Sequence, residues 1–192
     1  MEVVKESIMI IGIDLGNKSR NAISVVNGLD LLDYSNLLYD AKTTTPWEHR
    51  KKICKQIQEY IYKYNLNKED WILFEKINGF MHGYKSKLSN ITSLAFIQAT
   101  IINEFSDKIS IAEVPVVSWK TVVLGNRAAK KEDSVAYVEK KYPWVDLDVI
   151  IEHKRKETEY LKDDDTADAI CIGLYGNMVD KKKLTERQVN YT

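Results

Sequence analysis

The stretch "IMIIGIDLGNK", residues 8–18, constrains the fold of this chain more than any other. Five of its first six residues are Ile or Met, and the remaining one is Gly12. A run that short and that apolar predicts a strand buried on both faces. It is too short for a membrane span and is broken by Asp14. An acid at the tip of a buried strand is costly unless something pairs with it, because leaving water disfavours the charged form. Two readings are open at this point. Asp-x-Gly is a common turn pattern, and a carboxylate there can also face a cation.

The rest of the chain supplies the sheet around that strand. "NAISVVNG" predicts a second strand that ends in a turn at Asn27–Gly28, and "LDLLDYSNLL" pairs back as a third, an antiparallel meander. From Pro46 to Tyr64 the period changes. Ile53, Ile57, Tyr60, Ile61 and Tyr64 recur at three and four spacing, and Thr45 before Pro46 suits a helix N-cap. "WILFEK", 71–76, is a short apolar strand ending in Glu75, and 87–105 is a strongly apolar helix. "ISIAEVPVVSW" holds another strand, stopped near Pro115. Short helices follow at about 119–124 and 130–141 around Gly125 and Asn126. Residues 142–162 are charged and irregular, and a last clear helix runs from Asp164 to Met178. The order βββαβαβα predicts an α/β fold whose five-stranded mixed sheet is flanked by helices. With no repeat or low-complexity linker, one domain is expected over 1–192, with its core at about 8–178 and a polar tail at 179–192.

Charge narrows the partners. Lys and Arg total 28, as do Asp and Glu, so the net charge is +0. A global pull toward nucleic acid or anionic membrane is not expected, and any polyanion must meet a local patch. Lys120, Arg127, Lys130 and Lys131 form such a cluster around a Gly turn. Lys76, Lys85 and Lys87 flank "GFMHG", which places Phe80 and Met81 between glycines. The basic cluster is equally a solvated face, and Phe80 equally a core anchor. Cys54 and Cys171 form no CxxC pair, and His49, His82 and His153 lack zinc-ligand spacing. A reducing, cytoplasmic protein without membrane contact is expected.

The acids are more informative together. The strands at 8–14 and 71–75 are joined through a helix, so a right-handed crossover can place them side by side and parallel. Asp14 and Glu75 then emerge at one sheet edge. In "DDDTADAICIGLYG", Asp165 and Asp168 are three apart and share a helix face. Asp163 and Asp164 suit the cap and first turn. Two like charges ~4 Å apart repel by about 4 kcal/mol at an effective dielectric of ~20. Four converging carboxylates therefore require protons or a cation, and oxygen-only ligands favour Mg²⁺ or Mn²⁺. Two such ions about 4 Å apart suit phosphodiester cleavage. Gly12 and Gly16 are expected to keep the strand end slim for an approaching phosphate.

"IGIDLG" with Asp14, "LFEK" with Glu75 and "DTADAICIG" with Asp165 and Asp168 resemble the RuvC family of Holliday junction resolvases, within the ribonuclease H-like fold. "VPVVSWKTVVLGNRAAKKEDSV" resembles the family's strand, basic helix start, Gly turn and second basic helix. The resemblance covers about 8–141 and 163–176. It implies a homodimeric endonuclease in which each subunit nicks one of two opposing strands of a four-way junction, leaving 5′-phosphate and 3′-hydroxyl ends. It implies Mg²⁺, two ions per site with Mn²⁺ as a substitute, held by Asp14, Glu75, Asp165 and Asp168. Lys120 and Lys131 fall where the family has lysines near the scissile phosphate or junction backbone. Arg127, Lys130 and Lys76 extend that DNA-facing set, and Phe80 falls near an aromatic that stacks on an unpaired base. The excess apolar surface of the 87–105 helix would form a two-fold seam. A longer loop before Phe80 and an insertion at 142–162 point to a phage-type or otherwise divergent member. Dependence on a branch-migration complex is left open by the sequence. Three alternatives stand beside this one. They are another ribonuclease H-like nuclease acting on flaps, other branched DNA or RNA–DNA hybrids; a non-catalytic junction-binding module; and an actin-like ATPase. The last needs a second Asp-x-Gly loop and a second domain.

Overall fold

The apolar run near the start of the chain becomes the middle strand of the sheet. The computed structural model describes residues 8–16, 20–38, 45–77, 88–152 and 158–189. Strand β1 (Met9–Leu15) pairs antiparallel with β2 (Arg20–Asn27), which pairs with β3 (Asp30–Leu38). On its other side β1 runs parallel to β4 (Trp71–Glu75), and β4 parallel to β5 (Ser110–Val114). The order β3-β2-β1-β4-β5 is the mixed five-stranded sheet that the pattern predicts.

Strand periodicity divides the core into two layers. Ile11 and Ile13 of β1, with Ile72 and Phe74 of β4, pack with Ile53, Ile57, Ile97 and Ile101. Those partners come from α1 (Pro46–Tyr64) and α2 (Leu88–Phe105). Ile10 and Leu73 face the opposite layer, with Trp119, Val138, Ile170 and Leu174. That layer is built from α3 (Val116–Leu124), α4 (Lys131–Lys141) and α5 (Asp164–Met178). Because side chains alternate, Asp14 follows Ile10 and Gly12 onto the α5 face, and Glu75 follows Leu73. The two acids are thus aimed at one helix before any side-chain detail is considered.

Two local devices fix the helices. At the start of α1, the Thr45 hydroxyl accepts from the Glu48 N–H at 3.2 Å, and the Glu48 carboxylate accepts from the Thr45 N–H at 2.8 Å. This capping box, with Pro46 in the first turn, stops the helix from sliding. At Gly12, an added Cβ would lie 2.3 Å from the Ala169 carbonyl oxygen and 2.4 Å from the Gly173 nitrogen. The backbone of α5 therefore rests directly on β1, and the Ser24 hydroxyl donates to the same Ala169 carbonyl at 2.9 Å. The expected role of Gly12 is corrected by this contact: its missing side chain admits a helix, not a phosphate.

Two stretches carry more order than their composition predicts. Within 142–162, β6 (Asp148–Glu152) and β7 (Thr158–Lys162) form a separate antiparallel ribbon. Its base is tied by the Lys162 ammonium to Glu139 and Asp148, each at 2.7 Å. Two of the charges that made this segment look irregular, Asp148 and Lys162, are partners of one another. Beyond 178 the core continues. A short helix α6 (Lys181–Thr185) buries Leu184, and Val189 N–H donates to the Ile111 carbonyl at 3.0 Å along the free edge of β5. No helix among the described residues is long and apolar enough to cross a membrane.

Candidate active site

Asp14 and Glu75 stand at the carboxyl ends of adjacent parallel strands, Ile13 being paired with Phe74. Asp165 and Asp168 come from the first turns of α5, which runs back along β1. The start of α5 is fixed by Asp163, a buried N-cap. Its carboxylate accepts from the Thr166 N–H at 3.1 Å and the Thr166 hydroxyl at 2.5 Å, and from the Asn36 side-chain amide of β3. Asp163 is thus structural, as its position predicts, and it sets the rotation that turns Asp165 and Asp168 toward the sheet edge.

These acids act on one another electrostatically. Burial, then the charges of Glu75, Asp168 and Asp165, push the Asp14 carboxyl well above its ordinary range. Asp168 is pushed up to about 7, first by burial and then by Glu75 and Asp164, against the Ser134 hydrogen bond and the Lys120 charge. Glu75 is also raised by burial, while the Trp119 hydrogen bond and the charges of Lys120 and Lys131 pull the other way. Like charge and desolvation act together here, and both disfavour the ionised acids. A structural salt-bridge network would do the opposite.

As placed, no three His, Cys, Asp or Glu side chains among the described residues converge tightly enough to hold one ion. The donor set nonetheless fits a hard divalent cation. It offers only oxygens, and the Oδ1 atom of Asp168 is buried with no hydrogen-bond partner. A buried acceptor left open beside other carboxylates has the chemistry of a ligand position.

The basic residues divide. Lys131 pairs with Asp164. Burial works against its ammonium, but Asp164, Asp165 and Asp168 outweigh that and raise its pKa. Lys120 donates to the Ala129 carbonyl at 2.7 Å, which ties α3 to the turn before α4, and its charge still reaches Glu75 and Asp168. Arg127, Lys130 and Lys76 are exposed around this edge. Phe80, Lys85 and Lys87 lie outside the described residues.

Several supporting residues are not legible in motif spacing. Trp119 is fully buried, and its indole Nε1–H donates to Glu75 Oε1 at 2.9 Å. The Gln98 side chain donates to the Glu75 carbonyl at 2.8 Å. Ser134 of α4 faces Asp168. Asn21 accepts from the Gly16 N–H at 3.1 Å and is in turn bonded to His49. Most of these partners lie far away in sequence, and of them Trp119 and Ser134 stood inside a stretch marked by resemblance.

No family model and no curated protein matches the chain. Solved structures do match it. The structure of Thermus thermophilus RuvC in complex with Holliday junction substrate has a TM-score of 0.66 and 13% identity, covering 95% of this chain and 99% of that one. A second Thermus thermophilus RuvC structure has a TM-score of 0.62 and 14% identity, covering 92% and 98%. The yeast mitochondrial Holliday junction resolvase Ydc2 has a TM-score of 0.52 and 14% identity, covering 96% and 83%. At such identity the likeness speaks to architecture, and with the mixed sheet and helix layers described above it places this protein in the ribonuclease H-like fold of the RuvC structures.

Proposed function

We propose that this protein is a RuvC-family endonuclease that resolves four-way DNA junctions by paired nicks, leaving 5′-phosphate and 3′-hydroxyl ends. The observation that carries this is the placement of the acids: Asp14 and Glu75 end adjacent parallel strands, and Asp165 and Asp168 begin the helix packed on them, where burial and like charge disfavour ionised Asp14 and Asp168. Asp14, Glu75, Asp165 and Asp168 would hold Mg²⁺, with Mn²⁺ as a substitute. When bound, the metal supplies a lowered water pKa and neutralises charge on the scissile phosphate. The chain's own residues set the rest. Trp119 aims Glu75, Ser134 engages Asp168, and Lys120 and Lys131 place positive charge beside the acids, where a backbone phosphate would sit. Arg127, Lys130 and Lys76 would follow the duplex outward.

Paired nicks need two active sites, and α2 supports a homodimer. Between Leu88 and Asn103 this helix carries no charged residue, although charged residues make up 29% of the chain. Ala95, Phe96 and Ala99 are exposed on it. An uncharged, exposed helix face suits a two-fold seam, in which the same patch of each chain meets itself.

The test is a cleavage panel of four-way junction, three-way junction, flap and RNA–DNA hybrid with Mg²⁺, Mn²⁺ and Ca²⁺, run with the wild type and Asp14→Asn. Symmetric nicking of the four-way junction by the wild type, with binding but no cleavage by Asp14→Asn, is expected. Preferential cleavage of flaps or hybrids would move the substrate to the other ribonuclease H-like class. Cleavage by Asp14→Asn at the wild-type rate would sink the assignment.

A further inference from the structure

The end of β1 just beyond Asp14 is held by a buried polar chain. The last rung of the β1–β2 ladder pairs Leu15 with Asn21. Gly16 then leaves the sheet, and its N–H donates to Asn21 Oδ1 at 3.1 Å. A backbone N–H can only donate, so the amide oxygen of Asn21 is fixed on that side, and its NH₂ group must face His49. An NH₂ group can only donate. His49 Nε2 therefore accepts, which makes the imidazole neutral with its proton on Nδ1. Asn21 is fully buried and His49 is 3% exposed.

The chain has a fixed far end. His49 lies in the first turn of α1, directly after the Thr45–Glu48 capping box. A rigid helix start thus reaches through His49 and Asn21 to the backbone two residues beyond Asp14. Burial, with the charges of Lys52 and Arg50, lowers the His49 pKa to about 4, so the acceptor form persists at neutral pH. An apolar pair in the same space would leave the Gly16 N–H without its acceptor, so the polar chain serves the backbone at the end of β1 as well as packing.

We propose that His49 is a positioning residue of the acidic site: as a neutral Nε2 acceptor it orients Asn21, which holds the Gly16 amide and with it the end of β1 that carries Asp14. This rests on Asp14 being a metal ligand of the nuclease proposed above. It assigns His49 no contact with substrate or metal.

The test measures Mn²⁺ binding to the whole protein without DNA, by electron paramagnetic resonance, beside junction binding in Ca²⁺ and cleavage in Mg²⁺. His49→Leu removes the acceptor, and His49→Gln returns one through its side-chain carbonyl. The expected result is Mn²⁺ affinity weakened about 10–100-fold in His49→Leu, the usual scale for losing a partner behind a metal ligand. Cleavage falls with it, while junction affinity stays within about twofold of wild type; His49→Gln recovers most of the loss. Equal impairment of His49→Leu and His49→Gln, or wild-type Mn²⁺ affinity in a folded His49→Leu, would overturn the proposal. Should His49→Leu not fold, ¹⁵N spectra of the wild type decide: a proton on Nε2 of His49, or an unprotected Gly16 amide, overturns it. A wild type that neither binds Mn²⁺ nor cuts any branched DNA fails the nuclease assignment itself, and this inference falls with it. Failure of the His49 variants alone leaves that assignment standing.

Discussion

Replacing Asp168 with Asn should stabilise the metal-free protein while abolishing its response to Mg²⁺. The folded protein holds the Asp168 pKa at about 7, against an ordinary value of 3.8. Between those values the folded state binds a proton that the unfolded state has released. Stability therefore falls as pH rises from about 4 to about 7, and the loss is complete above the folded pKa. The difference is about 3 pKa units, worth at most about 4 kcal/mol at 1.36 kcal/mol per unit. Solvent at this half-buried side chain and local relaxation reduce the figure to about 2–4 kcal/mol. For a chain of this size, that is a rise in Tm of roughly 5–12 °C near pH 8 for Asp168→Asn without metal. The gain should shrink steadily toward pH 4, close to the ordinary value of 3.8, where the folded acid is protonated and the unfolded acid is only about half ionised. Differential scanning fluorimetry from pH 4 to pH 8, with EDTA and with Mg²⁺, reads both effects. The wild type should recover stability on adding Mg²⁺, and Asp168→Asn should not. A variant less stable than wild type in EDTA at pH 8, or a gain independent of pH, would refute the claim that Asp168 sits among uncompensated like charges.

Other consequences follow from single contacts. Trp119→Phe keeps a buried ring but removes the indole donor to Glu75; since that bond lowers the Glu75 pKa, the acidic limb of the pH–rate profile should move up and cleavage fall about 10-fold. Gly12→Ala puts a methyl into the backbone of α5 and should cost at least about 3 kcal/mol, seen as loss of the cooperative transition by circular dichroism. Lys131→Met removes the cation that lowers the pKa of Asp14 and Glu75, so Mg²⁺ affinity at neutral pH should drop. If Lys131 also meets a DNA phosphate, the salt slope of junction binding should shrink by about one unit.

Much of this protein is determined by short-range pattern. The apolar run of β1, the period-two strands around it and the three–four spacing of α1 fix which elements form, because strand and helix periods are local properties of the chain. Two parallel strands joined through a helix leave few arrangements, so handedness makes the adjacency of Asp14 and Glu75 an expected one, and the sheet order supplies it. The spacing of Asp165 and Asp168 does the same for one helix face. What only the tertiary structure decided are contacts between residues that no period relates. Trp119 reaches Glu75 from 44 residues away, and His49 reaches Asn21 from 28. Gly12 is explained by a helix that arrives more than 150 residues later in the chain. Leu184 and Val189 close the core from a segment whose composition is polar. Local sequence sets where an acid can emerge. Which buried donors hold it, and which backbone must stay bare beside it, depends on the packing of remote elements.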